Sequence, residues 1–214
     1  MYKIRVNIRG CKKIEELAEF VRSNNIRLIL FAETHGFLNE TQIQKKIIQS
    51  VNPDFFLYEM LEESKILSAQ DVKKLLNKPD KKDFSFISTY GDLKPTIRLA
   101  RSFDLPIIGC DIKDMCVKTK NWINEKYSKD YWSKVIKKRE KRQAKIINQY
   151  VKRGLVFVSV GAYHLRKESM VIKDLNENKF IIIFPLFNGK EKFIIPRNQE
   201  KQRVSFGIKL MRKR

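Results

Sequence analysis

Short apolar runs alternate with helix-patterned stretches through most of this chain, and no other feature limits its fold as strongly. Residues 2–8 alternate like a half-buried strand, and 14–24 then place Ile14, Leu17, Ala18 and Val21 at helical spacing. Residues 26–31 read as a mostly apolar strand. Asn39-Glu40-Thr41-Gln42 opens a helix striped by Ile43, Ile47 and Ile48, and 55–58 form the next strand. Proline in a first helical turn suits a helix over 95–103, followed by a strand over 106–110. From 128 to 153 the chain reads as one long helix, with Trp132, Val135, Ile136, Ala144, Ile147 and Tyr150 available for a buried face and Gly154 as its stop. A strand over 155–160, a helix near 168–176, a strand over 180–186 and β segments around 192–195 and 203–210 follow. Segment 77–91 mixes Pro79, Asp80, Asp83 and Gly91 with lysines and aromatics, a composition suited to a long loop or lid. The pattern predicts an α/β fold: a central sheet, largely parallel or mixed, flanked by helices, with a cleft at the carboxyl ends of the strands.

The 214 residues suit a single domain over 1–214 with room for a sizeable core. No apolar run reaches the roughly 18 to 20 residues of a spanning helix, and the first residues alternate charge with apolar side chains, so a soluble, cytoplasmic protein is expected. Cys11, Cys110 and Cys116 make an odd set without Cys-x-x-Cys spacing, which speaks against a disulfide framework or a zinc knuckle. The net charge of +21, from 45 basic against 24 acidic residues, would attract a polyanion such as nucleic acid. A solvated basic surface explains the same number, and no helix-turn-helix, finger or aromatic-rich RNA motif is present.

The chain holds two histidines, and both follow apolar strand-like runs. Leu28-Ile29-Leu30-Phe31 leads to Glu33-Thr34-His35-Gly36, and Val156-Phe157-Val158-Ser159-Val160 leads to Gly161-Ala162-Tyr163-His164. Side chains at the carboxyl ends of parallel strands share one rim, so two distant histidines can meet there. Two further runs end at Glu59 and Asp111. Imidazoles with carboxylates can hold a divalent metal or perform acid and base catalysis. Each residue also has a plainer role. A histidine after a strand can be a hydrogen-bonded turn residue, and Asp111 can cap a turn before Lys113. Glu59 follows Phe55-Phe56-Leu57-Tyr58 and would need a partner or a metal if buried. Arg139, Glu140 and Gln143 can be a charged solvent face of the long helix. No Gly-x-Ser-x-Gly elbow and no phosphate-binding glycine loop occurs among the eight glycines.

The order of these motifs resembles the superfamily that joins haem-binding ChaN-like proteins, erythromycin esterase-like enzymes and Tiki/TraB-like metalloproteases. The apolar residues before Glu33-Thr34-His35-Gly36 look like the family's first strand and its Glu-x-His type motif, with Ala32 where ChaN-like sequences commonly carry glycine. Phe56-Leu57-Tyr58-Glu59-Met60 resembles the second strand with its terminal Glu-Met. Arg139-Glu140-Lys141-Arg142-Gln143-Ala144 is similar to the family's Arg-Glu-x-x-Met-Ala helix, with Gln143 in place of methionine, and Gly161-Ala162-Tyr163-His164-Leu165 looks like its Gly-x-x-His-Leu motif. The resemblance covers about residues 26–165. It implies that Glu33, His35, Glu59, Arg139, Glu140 and His164 line one cleft; family membership fixes a site better than a reaction.

The leading expectation is a metal-dependent hydrolase of an ester or peptide-like amide. Glu33, His35 and His164 would hold a divalent metal, with Glu59 in reserve, and Glu59 or Glu140 would take a proton from water. Arg139 would orient a carboxylate or stabilise an oxyanion. A metal-free version uses His35 as general base on water. The alternatives are a non-catalytic haem- or metal-binding protein, with Tyr163 or His164 on the iron, and a basic nucleic-acid-associated protein.

Overall fold

The computed structural model describes residues 14–33, 38–62, 67–68, 70, 72–73, 90–112, 129–184 and 207–212. The strand expected over 2–8, the loop over 77–89 and the β segment near 192–195 lie outside them, as does His35. Six strands form one sheet: β1 (Leu28–Glu33), β2 (Phe55–Glu62), β3 (Ile107–Asp111), β4 (Val156–Gly161), β5 (Lys179–Phe184) and β6 (Gly207–Arg212), in the order β3-β2-β4-β1-β5-β6. The first five run parallel, and β6 pairs antiparallel with β5 at the edge. The fold is therefore α/β, with β1 and β4 side by side at the centre and Glu33 in register with Gly161.

Helices α1 (Ile14–Ser23), α2 (Leu38–Val51), α3 (Tyr90–Ser102), α4 (Lys129–Val151) and α5 (Met170–Lys173) cover the sheet. Strand alternation divides the core into two layers. On one face Ile29, Phe31, Phe56, Tyr58 and Phe157 pack with Leu17 and Val21 of α1, Ile47 and Ile48 of α2, and Ile97 and Ala100 of α3. Phe157 lies at the middle of this layer, its ring 5.5 Å from Phe56 and 5.9 Å from Phe31. On the other face Leu28, Leu30, Leu57, Ile108, Val156 and Val158 pack with Ile146, Ile147 and Val151 of α4 and Val171 of α5. Every residue of β1 and β4 is buried, which explains why both read as apolar runs without polar alternation. Each such aliphatic or aromatic side chain stabilises the fold by about 1.5–3 kcal/mol relative to exposure.

Three helices that lead into strands end on Asn or Asp in the left-handed region: Asn25 (φ 51°), Asn52 (φ 49°) and Asp104 (φ 53°). After α1, Asn25 N–H donates to Arg22 O at 3.1 Å and Ile26 N–H to Val21 O at 2.9 Å. After α3, Asp104 N–H donates to Arg101 O at 3.0 Å and Leu105 N–H to Ala100 O at 3.1 Å, the same double closure of the last turn. The short Asn and Asp side chains tolerate this backbone, so each helix turns directly into β1, β2 or β3. After α4 the turn uses Gly154, where a Cβ would collide with Asp54; the Asp54 carboxylate accepts the Leu155 N–H at 2.7 Å.

The observed elements depart from the sequence expectation mainly at their ends. Strand β2 continues to Glu62, so Glu59 lies within it, and its register against β3 shifts between Tyr58 and Glu62. Helix α3 begins at Tyr90 and carries Pro95 inside it, and α5 is only four residues long. No helix among the described residues is long and apolar enough to cross a membrane.

Candidate functional site at the carboxyl rim

Strands β1, β2 and β3 and the turn after β4 deliver polar residues to the same rim, and the long helix α4 runs beside it. Its 23 residues span about 34 Å, more than the strands it covers. One turn of its buried face is polar: Arg139, Glu140 and Gln143 are all buried. The solvent-face reading of these three residues is thereby corrected, because helical phase turns them toward the sheet along with Ile136, Ala144 and Ile147.

Arg139 reaches two strand ends. Its Nε bonds Asp111 Oδ1 at 3.1 Å and Oδ2 at 3.0 Å, while Nη2 bonds Asp111 Oδ2 at 2.5 Å and Glu59 Oε1 at 2.7 Å. The other Glu59 oxygen accepts the Gly161 N–H, tying β2 to the end of β4. His164, in the 3-10 turn Ala162–Leu165 that follows β4, is 4% exposed. Its Nε2 is 3.0 Å from Glu59 Oε1 and its Nδ1 is 3.1 Å from Glu140 Oε1. Glu140, fully buried, also accepts Arg166 Nη1 and, at 2.9 Å, the Met170 N–H that opens α5.

While both carboxylates facing the ring nitrogens are ionised, they can be satisfied together only by an imidazolium, since a neutral ring has one N–H. Burial works against charge on His164, but Glu59 and the Glu140 hydrogen bond overcome it and raise its pKa above 6.5. Burial likewise opposes ionisation of Glu140, yet hydrogen bonds from His164 and Arg166 lower its pKa. Burial pushes the Asp111 carboxyl up, against the pull of Arg139. Arg139 loses hydration by burial and is held charged by Asp111 and Glu59. With His164 protonated, the carboxylates of Glu59, Asp111 and Glu140 are balanced by Arg139, Arg166 and His164.

Glu33 stands on the other face by strand alternation, beside Phe31 rather than Leu30. Tyr58 OH donates to its Oε1 at 3.4 Å and Ser159 Oγ donates to its Oε2. Gln44 Nε2 of α2 donates to Ser159 Oγ at 3.1 Å. The two clusters adjoin through the consecutive residues Tyr58 and Glu59 of β2.

The structure thus brings together Glu59, Arg139, Glu140 and His164, and adds Asp111 and Arg166. It places Glu33 in the second cluster. Of the expected ligand set Glu33, His35 and His164, His35 lies outside the described residues; carboxylates lie against both nitrogens of His164, and no group of three metal-ligating side chains occurs among the described residues. Tyr58, Ser159, Gln44 and Arg166 escaped the sequence reading. Ser159 was detectable as the one hydroxyl within an apolar strand, and Arg166 as a cation two positions after His164. Gln44 had no such mark.

No protein-family model and no curated protein matches the chain. A solved structure described as "Cofacial heme binding to ChaN of Campylobacter jejuni" aligns with TM-score 0.52 and 15% identity, covering 94% of this chain and 90% of that one. The fold is ChaN-like.

Proposed function

We propose that the carboxyl rim is a metal-independent hydrolytic site acting on the carbonyl of an ester or amide. The supporting observation is Arg139. Its Nε and Nη2 are fixed by Asp111 and Glu59, while Nη1 makes no hydrogen bond among the described residues. A buried guanidinium clamped at two corners, with its third nitrogen unbonded among the described residues, is a preorganised donor for an oxyanion. In this reading His35 is the general base on water, tuned by the neighbouring Glu33. A proton leaves the water as its oxygen bonds the carbonyl carbon, the tetrahedral oxyanion meets Arg139 Nη1, and the bond to the leaving group breaks as that group regains the proton. His164, held between Glu59 and Glu140, is a positioning residue that keeps Glu59 aligned on Arg139.

The test is turnover of p-nitrophenyl acetate and an amide panel by the full chain in the presence of EDTA. Arg139→Lys keeps the charge but loses the fork, and is expected to reduce kcat by about 10²–10³. Undiminished turnover in that variant, or no turnover of any substrate by the native chain, overturns the reading.

A haem-binding reading is favoured by a different observation. Tyr163 is 37% exposed, the one large hydrophobic residue exposed among those described, and the Arg166 guanidinium lies 4.2 Å from its ring centroid. The ChaN protein of similar fold is described as binding haem. His164 has no free nitrogen for iron, so Tyr163 would be the ligand on this side. Haem titration followed at the Soret band, lost in Tyr163→Phe, would support this reading; an unchanged titration in that variant would remove it.

A further inference from the structure

The outward face of α4 and the residue just after it carry lysines that form no ion pair among the described residues. Lys134, Lys138, Lys141, Lys145 and Lys152 are all exposed. Spaced by three, four or seven residues, they fall on one straight stripe of about 27 Å at 1.5 Å per residue. Between 133 and 151 the sole acidic residue is Glu140, and it is buried on the opposite side of the helix. A solvated helix commonly interleaves acids at i+3 or i+4, whereas here Lys134 and Lys138, then Lys141 and Lys145, repel one another.

The lower half of the stripe borders a groove of about 360 Å³, lined by Lys141, Lys145, Gln149, Lys152 and Asn176. Asn148 fixes its wall: Nδ2 donates to Asp174 O at 2.9 Å and Oδ1 accepts the Asn176 N–H at 2.8 Å. Asp174 is the acid at this edge, facing three lysines.

We propose that this stripe and groove form a surface for the phosphodiester backbone of single-stranded nucleic acid. Lysines one or two helical turns apart suit a single charged strand, and the amides of Gln149 and Asn176 can bond sugars or bases between phosphates. Because α4 lies against the sheet, it is not free to enter a duplex groove as a recognition helix does. An anionic membrane is the poorer fit, since an interfacial helix buries apolar residues in the lipid and the apolar face of α4 is already in the core. The surface is separate from the rim network, which uses the opposite face of the helix.

The test is fluorescence anisotropy of a labelled 20-nucleotide mixed-sequence RNA with the full chain at 50 and 200 mM salt. If about five phosphates are neutralised, native affinity falls roughly a hundredfold between these salts at the single-strand slope. The triple variant Lys141→Glu, Lys145→Glu, Lys152→Glu is expected to bind at least about tenfold more weakly at 50 mM, with a shallower salt slope. Its counterpart with Gln at the same positions should lose affinity in the same direction without added repulsion. A control that reverses Lys45, Lys46 and Lys73, exposed on the α2 side, changes net charge equally and should stay within about twofold. Equal loss in stripe and control variants overturns the proposal in favour of diffuse charge. So does native protein that fails to bind the RNA, or that sediments with phosphatidylserine vesicles through the stripe while ignoring RNA.

Discussion

The polar cluster on the α4 side of the sheet is made of full charges that answer one another, while Glu33 on the α2 side receives hydroxyls from Tyr58 and Ser159. The first cluster draws its cations from a helix and a turn and its anions from two strands and the same helix. It therefore depends on α4 keeping its phase against the sheet. The second is built mostly on strands and is fixed by sheet register. A closed set of buried charges costs several kcal/mol per ion in lost hydration, and similar apolar side chains would serve stability as well. Its placement at the rim is therefore read as positioning, with Arg139 as the group being positioned.

Removing one member of the closed set should have the largest effect. Arg139→Met strands Asp111 and Glu59 as buried carboxylates, and a loss of about 3–5 kcal/mol is expected in urea unfolding. On the other side, Glu33→Gln keeps an acceptor for one hydroxyl and offers the other an amide N–H to accept, so stability should change by only about 1 kcal/mol, while ester turnover falls by about 10²-fold or more. If the two substitutions cost the same stability, the contrast between the clusters is wrong. Ser159→Ala removes a donor from Glu33 and leaves the Gln44 amide without its acceptor, for an expected cost of about 1–2 kcal/mol by the same measurement.

The pH dependence should report on the α4-side cluster. His164 has a folded pKa raised above 6.5, so its contribution is full below that value and is lost as pH climbs through the raised one. Glu140, lowered from 4.5, contributes above that value and loses its contribution as pH falls through the lowered one. Urea midpoints of the native chain should therefore decline on the alkaline side, and His164→Gln should remove that decline. The smallest effect is expected at Gln143, fully buried with neither amide atom bonded among the described residues. Gln143→Met should be neutral or stabilising by up to about 1 kcal/mol, because no hydrogen bond is lost.

The sheet and its rim were legible because apolar runs ending in Glu33, Glu59, Asp111 and His164 carry their own message about burial and polarity. Helix phase was legible for α4 from its apolar spacing, yet that spacing alone left Arg139 and Glu140 on a solvent face. Only their family resemblance pointed inward. The pairing of His164 with two carboxylates was hidden, since Glu59 and Glu140 are 105 and 24 positions from it in sequence and meet through β4 register and helix rotation. Sequence also favoured joining Glu33 to His164 as metal ligands. Alternation along β1 turns Glu33 after Phe31 onto the α2 face, where Tyr58 and Ser159 bond it. Asp111, read as a turn cap, does bond the following Ile112 N–H at 2.7 Å, and it is also the second anchor of Arg139.

The central claim is that the α4-side network holds His164 as a buried imidazolium with both nitrogens engaged. ¹⁵N-detected NMR titration of its ring measures this directly. Two protonated ring nitrogens at pH 7, a pKa above 6.5 and no response to added zinc are the expected result. A neutral ring at pH 7, or a nitrogen that shifts on zinc binding, would contradict it.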